Sequence, residues 1–244
     1  MNIRQIGNGG AFDYQSVNSS FVIEHNDKYL LFDCGYSVYA ELRRLDADEK
    51  EDFDLKKLDA IYISHMDDDH VGSIKTLLYY QYFVNGITTK VMYQTGTGLE
   101  DDIECELLFH MDTKRENDEE VNASIWTPIY LPLNGGTIWN TLEVHSEETD
   151  HHVECYGLRV FDINEEIYIS GDTKATKQTA DVMEGLLKGH RDLLIFHDFS
   201  NWDCEGSQVH ACKSDTERLY SPEIREKINW YHNNEPFNNQ WRSV

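Results

Sequence analysis

The sequence predicts an α/β fold in one domain, and three observations carry that prediction. Short apolar or alternating runs of strand length are interleaved with helix-length segments. At 244 residues the chain suits one compact domain with a substantial core. It has only four Pro and no linker-like tract, so residues 1–244 read as a single unit. In chain order, Met1-Asn2-Ile3-Arg4-Gln5 starts a strand. Gly7-Asn8-Gly9-Gly10 follows and reads as a simple flexible turn. Asn18 to Glu24 and Lys28 to Phe32 bracket His25-Asn26-Asp27, as a β-hairpin does. Leu58 to Ile63 is a short apolar run that reads as a buried strand. Helices are expected at Val71 to Tyr82, Lys174 to Lys188 and Ser214 to Lys227, and further strands at Leu142 to Val144, Ile167 to Ser170, Asp192 to Phe196 and Lys227 to His232. The acidic segment from Gly96 to Ala123 reads as a lid, an oligomer (homodimer) contact or a plain solvated insertion.

Composition removes several function classes. Hydrophobic residues make up 40% and aromatics 12%, which excludes a disordered chain. No run of about eighteen apolar residues exists, so no membrane span is expected. The N-terminus lacks the apolar core of a signal peptide, and a cytoplasmic location is the expectation. Cys34, Cys105, Cys155, Cys204 and Cys212 are odd in number and contain no Cys-x-x-Cys pair, which argues against a thiolate zinc site. Formal net charge is −24, from 21 basic and 45 acidic residues. Long nucleic acids are held mainly by Lys and Arg on phosphates, and here the basic pairs Arg43-Arg44, Lys56-Lys57 and Lys114-Arg115 are flanked by acids. A small substrate is therefore expected rather than a polyanion.

The chemistry is concentrated in Ser64-His65-Met66-Asp67-Asp68-Asp69-His70-Val71-Gly72, directly after a predicted buried strand. In an extended segment alternate residues point the same way, so His65, Asp67 and Asp69 are expected to converge on one point. Imidazoles and carboxylates together form a ligand set for one or two divalent metals. This pattern resembles the His-x-His-x-Asp-His signature of the metallo-β-lactamase superfamily, with Asp67 where the second His is usual. The resemblance implies a four-layer αβ/βα sandwich, with halves running from Met1 to Pro132 and from Leu133 to Val244. It also implies two divalent metal ions. A carboxylate at position 67 is a harder ligand and shifts preference from zinc toward manganese or iron.

The resemblance supplies further expectations. Asp33-Cys34-Gly35 is similar to the family's Asp-x-Gly turn, with Asp33 orienting a ligand His. Asp150-His151-His152-Val153-Glu154-Cys155-Tyr156-Gly157 is similar to a ribonuclease Z segment, which selects His151 as ligand, with His152 the alternative and His145 a nearby decoy. Ser170-Gly171-Asp172-Thr173 makes Asp172 the carboxylate that bridges two metals, with Thr173 near a helix cap. The last ligand is His232, with His197 and His210 as competitors. Asp198 and His210 resemble an acid-held His that serves as general acid, and Asp69 would orient the nucleophile as well as ligate. The expected metal ligands are therefore His65, Asp67, Asp69, His70, His151, Asp172 and His232. The expected activity is a metal-dependent phosphodiesterase on a small, possibly cyclic, nucleotide. The rival readings are an RNA-processing nuclease of ribonuclease Z type, a lactone or thioester hydrolase, a flavodiiron-like redox protein, and a non-catalytic nucleotide-binding relative.

Overall fold

A computed structural model describes residues 1–108, 111, 114–116, 119–121, 125–132, 135–189, 191–201 and 209–244. Period-2 alternation assigns each strand residue to a layer. On β2 (Ser20–His25) and β3 (Lys28–Phe32), Phe21, Ile23, Leu30 and Phe32 face one way while Val22, Tyr29 and Leu31 face the other. The hairpin between them turns at Asn26 and Asp27, both with positive φ (46° and 61°), as a tight two-residue connection requires.

One sheet has the order β15 (Arg242–Ser243), β1 (Asn2–Gly7), β2, β3, β4 (Leu58–Tyr62), β5 (Thr89–Gln94), β8 (Trp126–Leu131). A second has the order β14 (Ile228–Tyr231), β13 (Asp192–Asp198), β12 (Glu165–Ile169), β11 (Tyr156–Phe161), β10 (Leu142–Glu148), β9 (Gly136–Trp139). Three buried clusters separate four layers. Phe21, Phe32 and Tyr62 meet Leu158, Ile169 and Phe196 between the sheets. Outside the first sheet, α1 (Val38–Ala47) and α3 (Ile74–Tyr80) cover Leu31, Ile61 and Val91 with Val38, Leu42, Leu45, Ile74 and Leu77. Outside the second, α5 (Lys177–Leu187) covers Tyr168 and Ile195 with Ala180, Met183 and Leu186. Burial of each such aliphatic or aromatic side chain stabilises by roughly 1.5–3 kcal/mol. This is the expected αβ/βα sandwich.

The structure corrects three local expectations. The helix expected from Val71 splits into α2 (Asp68–Val71) and α3, with a π-helical turn at Gln81–Asn85. Thr173 does not cap α5; Thr176 does, through a reciprocal bond with Thr179. The segment from Ser214 to Lys227 breaks into α6 (Lys213–Leu219) and α7 (Pro222–Lys227), because Ser221 caps a new helix whose first residue is Pro. Strand β15 returns to pair with β1, Asn2 opposite Ser243, so the second half lends one strand to the first sheet, although the sheets otherwise divide between Leu131 and Gly136, around Pro132 as expected. The acidic segment holds α4 (Gly98–Asp102) and a short ribbon, β6 (Lys114–Glu116) with β7 (Glu119–Val121); residues 109, 110, 112, 113, 117, 118, 122 and 123 of it lie outside the described ones, and so does any lid or contact role built on them. Among the described residues no helix is long and apolar enough to cross a membrane.

The topology also places the functional side chains. β3 and β4 run parallel, as do β12, β13 and β14. Asp33, Ser64, Asp172 and His232 follow the carboxyl ends of β3, β4, β12 and β14, and Asp198 ends β13. Carboxyl ends of parallel strands are where open α/β sheets collect ligands.

Candidate metal centre

Two ligand groups meet at Asp172. In the outer group, Asp67 Oδ2 lies 3.5 Å from both His65 Nε2 and His151 Nε2, and Asp172 Oδ2 lies 4.0 Å from each. In the inner group, Asp69 Oδ2 lies 3.5 Å from His70 Nε2 and 3.3 Å from His232 Nε2, while Asp172 Oδ1 lies 3.4 Å from His70 Nε2. His65, Asp67 and Asp69 therefore do not converge on a single point. Asp67 precedes α2 with extended backbone, and the helix that starts at Asp68 turns Asp69 and His70 to the other side of Asp172.

Each imidazole is fixed through its other nitrogen. His70 Nδ1–H donates to Asp33 Oδ2 at 2.7 Å, and Asp33 also accepts from Ser64 N and Ser64 Oγ. His232 Nδ1–H donates to Asp198 Oδ1 at 3.2 Å. His65 Nδ1 meets Ser64 Oγ at 2.9 Å, with Cys155 Sγ 3.5 Å away. His151 Nδ1–H donates to the Val209 carbonyl at 2.9 Å. Such partners set the tautomer that leaves Nε2 free to ligate. Asp33 and His232 both hold positive φ (57° and 64°), a conformation uncommon outside Gly and tolerated best by Asn, Asp and His. Gly35 is required for contact: a Cβ there would fall 1.8 Å from the Asp69 carbonyl, so only Gly lets the Asp33 turn pack against α2.

The donor set fits divalent cations. Four ligands held tetrahedrally at roughly 2.1 Å stand about 3.4 Å apart, close to the spacings above. His65 Nε2, His70 Nε2 and Asp172 Oδ1 are buried with no hydrogen-bond partner. Unpaired buried polar atoms are costly; a cation in the inner group would account for His70 Nε2 and Asp172 Oδ1, and one in the outer group for His65 Nε2. The electrostatics agree. Burial opposes charge on His70 and His232, but Asp172 and neighbouring carboxylates outweigh it and hold both above the ordinary histidine value, His232 at about 10. His65 is lowered by burial and by His70. Asp67 is held well below the usual carboxylate range by His151 and His65. The raised values of His70 and His232 reflect the uncompensated carboxylates around them, and a divalent ion bound there would compete with protons for these imidazoles.

His210 stands beside this pair of groups. Its Nδ1–H donates to Asp198 Oδ2 at 2.9 Å and lies 3.7 Å from Asp172 Oδ2. Burial lowers its pKa, but Asp198 and Asp172 outweigh that and raise it. Asp198 is fully buried and also accepts from Thr173 N at 2.9 Å. One carboxylate therefore orients both His210 and His232. His152 is half exposed and touches only the outer edge, 3.5 Å from Asp67 Oδ2. His197 lies elsewhere: it donates to the Asp198 carbonyl and accepts from Tyr220 OH. His145 is on β10, 3.6 Å from Glu143.

Sequence reasoning missed Ser64, Thr173 as a donor to Asp198, and Asn8, whose Oδ1 accepts from His232 N at 2.9 Å. Position next to the motif could have flagged Ser64; Asn8 is 224 residues from His232 and left no local signal. Gly7 to Gly10 is accordingly a pinned segment and not a simple flexible turn. A cavity of about 490 Å³ opens over the centre, lined by Ala11, Phe12, Tyr36, Asp67, Asp69, His151 and His210 among others, with no Lys or Arg among its described lining residues.

Comparisons with known proteins bear on the fold and the family. A metallo-β-lactamase fold protein, YhfI from Bacillus subtilis, superposes with a TM-score of 0.70 at 19% identity, covering 95% of this chain and 85% of its own. The short form of human tRNase Z superposes with a TM-score of 0.70 at 16% identity, covering 100% and 99%. The anti-Pycsar protein Apyc1 of Bacillus phage 010DV004 is 37% identical over 87 residues, 35% of this chain and 32% of the relative, so the match spans about a third of that protein's length. The family described as "Anti-Pycsar protein Apyc1" matches residues 1–243. The chain thus belongs to the anti-Pycsar Apyc1 family and has the metallo-β-lactamase fold.

Proposed function

We propose that this chain is a metal-dependent phosphodiesterase that hydrolyses a small cyclic nucleotide. The observation that carries the reading is Asp172, whose two oxygens face two separate ligand groups, with an acid-held imidazole alongside. His65, Asp67 and His151 would hold one ion and Asp69, His70 and His232 the other, with Asp172 shared. Asp67 favours manganese or iron over zinc in the outer position relative to an all-His group. Bound ions supply Lewis acidity toward water and the scissile phosphoryl group. Asp69 orients the attacking water through its carboxylate. His210, fixed through Nδ1 by Asp198, carries its proton on Nε2 and gives it to the departing ribose oxygen.

Charge supports a small substrate. With no Lys or Arg among the described lining residues, a monoanionic phosphodiester is matched by two divalent ions, whereas a polyanion meets a chain of net charge −24. The volume of about 490 Å³ lies within the usual range for small-ligand sites.

The test is a substrate panel: cyclic mononucleotides, bis-p-nitrophenyl phosphate, pre-tRNA, lactones and β-lactams. Cyclic nucleotides should be opened, chelation should abolish turnover, and Mn or Zn should restore it. Turnover confined to lactones, efficient pre-tRNA maturation, or full activity after metal removal would each overturn the reading.

A further inference from the structure

The chemistry above leaves the loop between β1 and β2 without a role beyond Asn8, yet the fold fixes it firmly. Asn8 N and Gly9 N donate to the Val17 carbonyl at 3.0 and 2.8 Å, closing the loop at its base. Asn8 Nδ2 donates to Asn233 Oδ1 at 2.7 Å and to the Glu235 carbonyl at 2.9 Å, and Gly10 N donates to Asn234 Oδ1 at 3.1 Å. A Cβ on Gly10 would stand 3.1 Å from His232 Nε2, so the loop passes directly over an inner-group imidazole. Beyond Gly10 the loop presents Phe12, which is 100% exposed, and Ala11, whose carbonyl accepts from Tyr36 OH at 2.7 Å. Tyr36 comes from the Asp33 turn and is itself 47% exposed. Both rings line the cavity that holds Asp67, Asp69 and His210.

A single exposed aromatic is ordinary. Two of them on one cavity wall, one on a segment pinned to the metal centre and tied by a hydrogen bond to the other, form a prepared apolar face. We infer that Phe12 and Tyr36 are the base-stacking face of the substrate pocket, holding the nucleobase while the ligand groups hold the phosphate. This rests on the nucleotide reading above. Aromatic side chains stack on nucleobases through their faces, and the ring that loses solvent on binding is the one left bare in the free protein.

The test compares 3′,5′-cyclic AMP with a base-free methyl riboside 3′,5′-cyclic phosphate in Phe12→Ala, Tyr36→Ala and a control, Tyr14→Ala. Tyr14 is 89% exposed on the same loop but is not among the cavity's lining residues. The ratio of kcat/KM for nucleotide over base-free ester should fall about tenfold in Phe12→Ala and severalfold in Tyr36→Ala, mainly through KM. It should stay within roughly twofold in Tyr14→Ala, and Phe12→Trp should restore it. An unchanged ratio in Phe12→Ala overturns the inference. If the wild type cleaves neither ester, the hydrolytic reading fails on its own and stacking is read by binding. The added fluorescence of Phe12→Trp over wild type should then be quenched by AMP and not by ribose 5-phosphate; no quenching overturns the inference.

Discussion

The inner group, Asp69, His70 and His232, and the outer group, His65, Asp67 and His151, share Asp172 but differ in what stands behind each imidazole. Both inner imidazoles donate to buried carboxylates, His70 to Asp33 and His232 to Asp198. The outer ones meet neutral groups: His65 the Ser64 hydroxyl, His151 the Val209 carbonyl. The inner side chains are at most 5% exposed, whereas Asp67 is 35% exposed. A carboxylate behind an imidazole raises its basicity and fixes its ring more strongly than a neutral acceptor does. In the proposed reading, the inner group is the tight, permanent position. The outer group is the exchangeable one, and its makeup decides which metal is taken up.

The sharpest break of this comparison is at the residue common to both sides. Asp172→Ala should remove both ions together and cut phosphodiester turnover more than about a hundredfold, beyond what loss of a supporting partner alone costs. Elemental analysis beside the rate assay reads it, and retention of one full equivalent of metal would mean that the carboxylate is not shared. The acid-bearing side is next. His210→Ala should slow cyclic-nucleotide cleavage about a hundredfold and spare bis-p-nitrophenyl phosphate, because p-nitrophenolate leaves without a proton. Its metal content should be unchanged. Asp198→Asn should differ, lowering inner-group occupancy as well as turnover, because the same carboxylate also holds His232. A normal metal content in Asp198→Asn contradicts that double role.

Asp33→Asn should weaken the inner position by about ten- to a hundredfold. Ser64→Ala should cost less, at the outer position, because a hydroxyl orients without adding charge. Equal effects in metal competition assays would erase the distinction between the two groups. The smallest change expected is in Asp67→His, which should keep both ions and move the outer position toward zinc. Competition between Zn and Mn at fixed pH measures it, and an unaltered preference would show that position 67 does not set selectivity.

The contrast between groups also explains what the sequence made legible. The α/β class follows from strand-length and helix-length segments, while the four-layer arrangement comes only from the family resemblance of the motif; Leu58 to Ile63 ahead of Ser64 marks a strand end without any tertiary information. His65, Asp67, Asp69 and His70 stand out because chemistry is crowded into one turn. The supporting partners carry no such local signal: Asp33, which meets His70 across 37 residues, is reached only through the resemblance of Asp33-Cys34-Gly35, and Asn8, which meets His232 across 224, is not reached at all. Such bonds have no periodicity to betray them. The same limit applied to the convergence of Asp69 with His65, which an extended reading required and a helix starting at Asp68 prevents. It applied again at Ser221-Pro222, where a helix period continues through residues that physically restart the helix.

The central claim is two unequal metal positions joined by one carboxylate, and calorimetric titration of chelator-stripped protein with Mn or Zn tests it directly. The account predicts two ions per chain in two resolved phases, the tighter at least about tenfold stronger, as expected when carboxylates support one group and neutral acceptors the other. The tighter phase should weaken selectively in Asp33→Asn. A single ion per chain, or two ions of equal affinity that Asp33→Asn weakens alike, would contradict it.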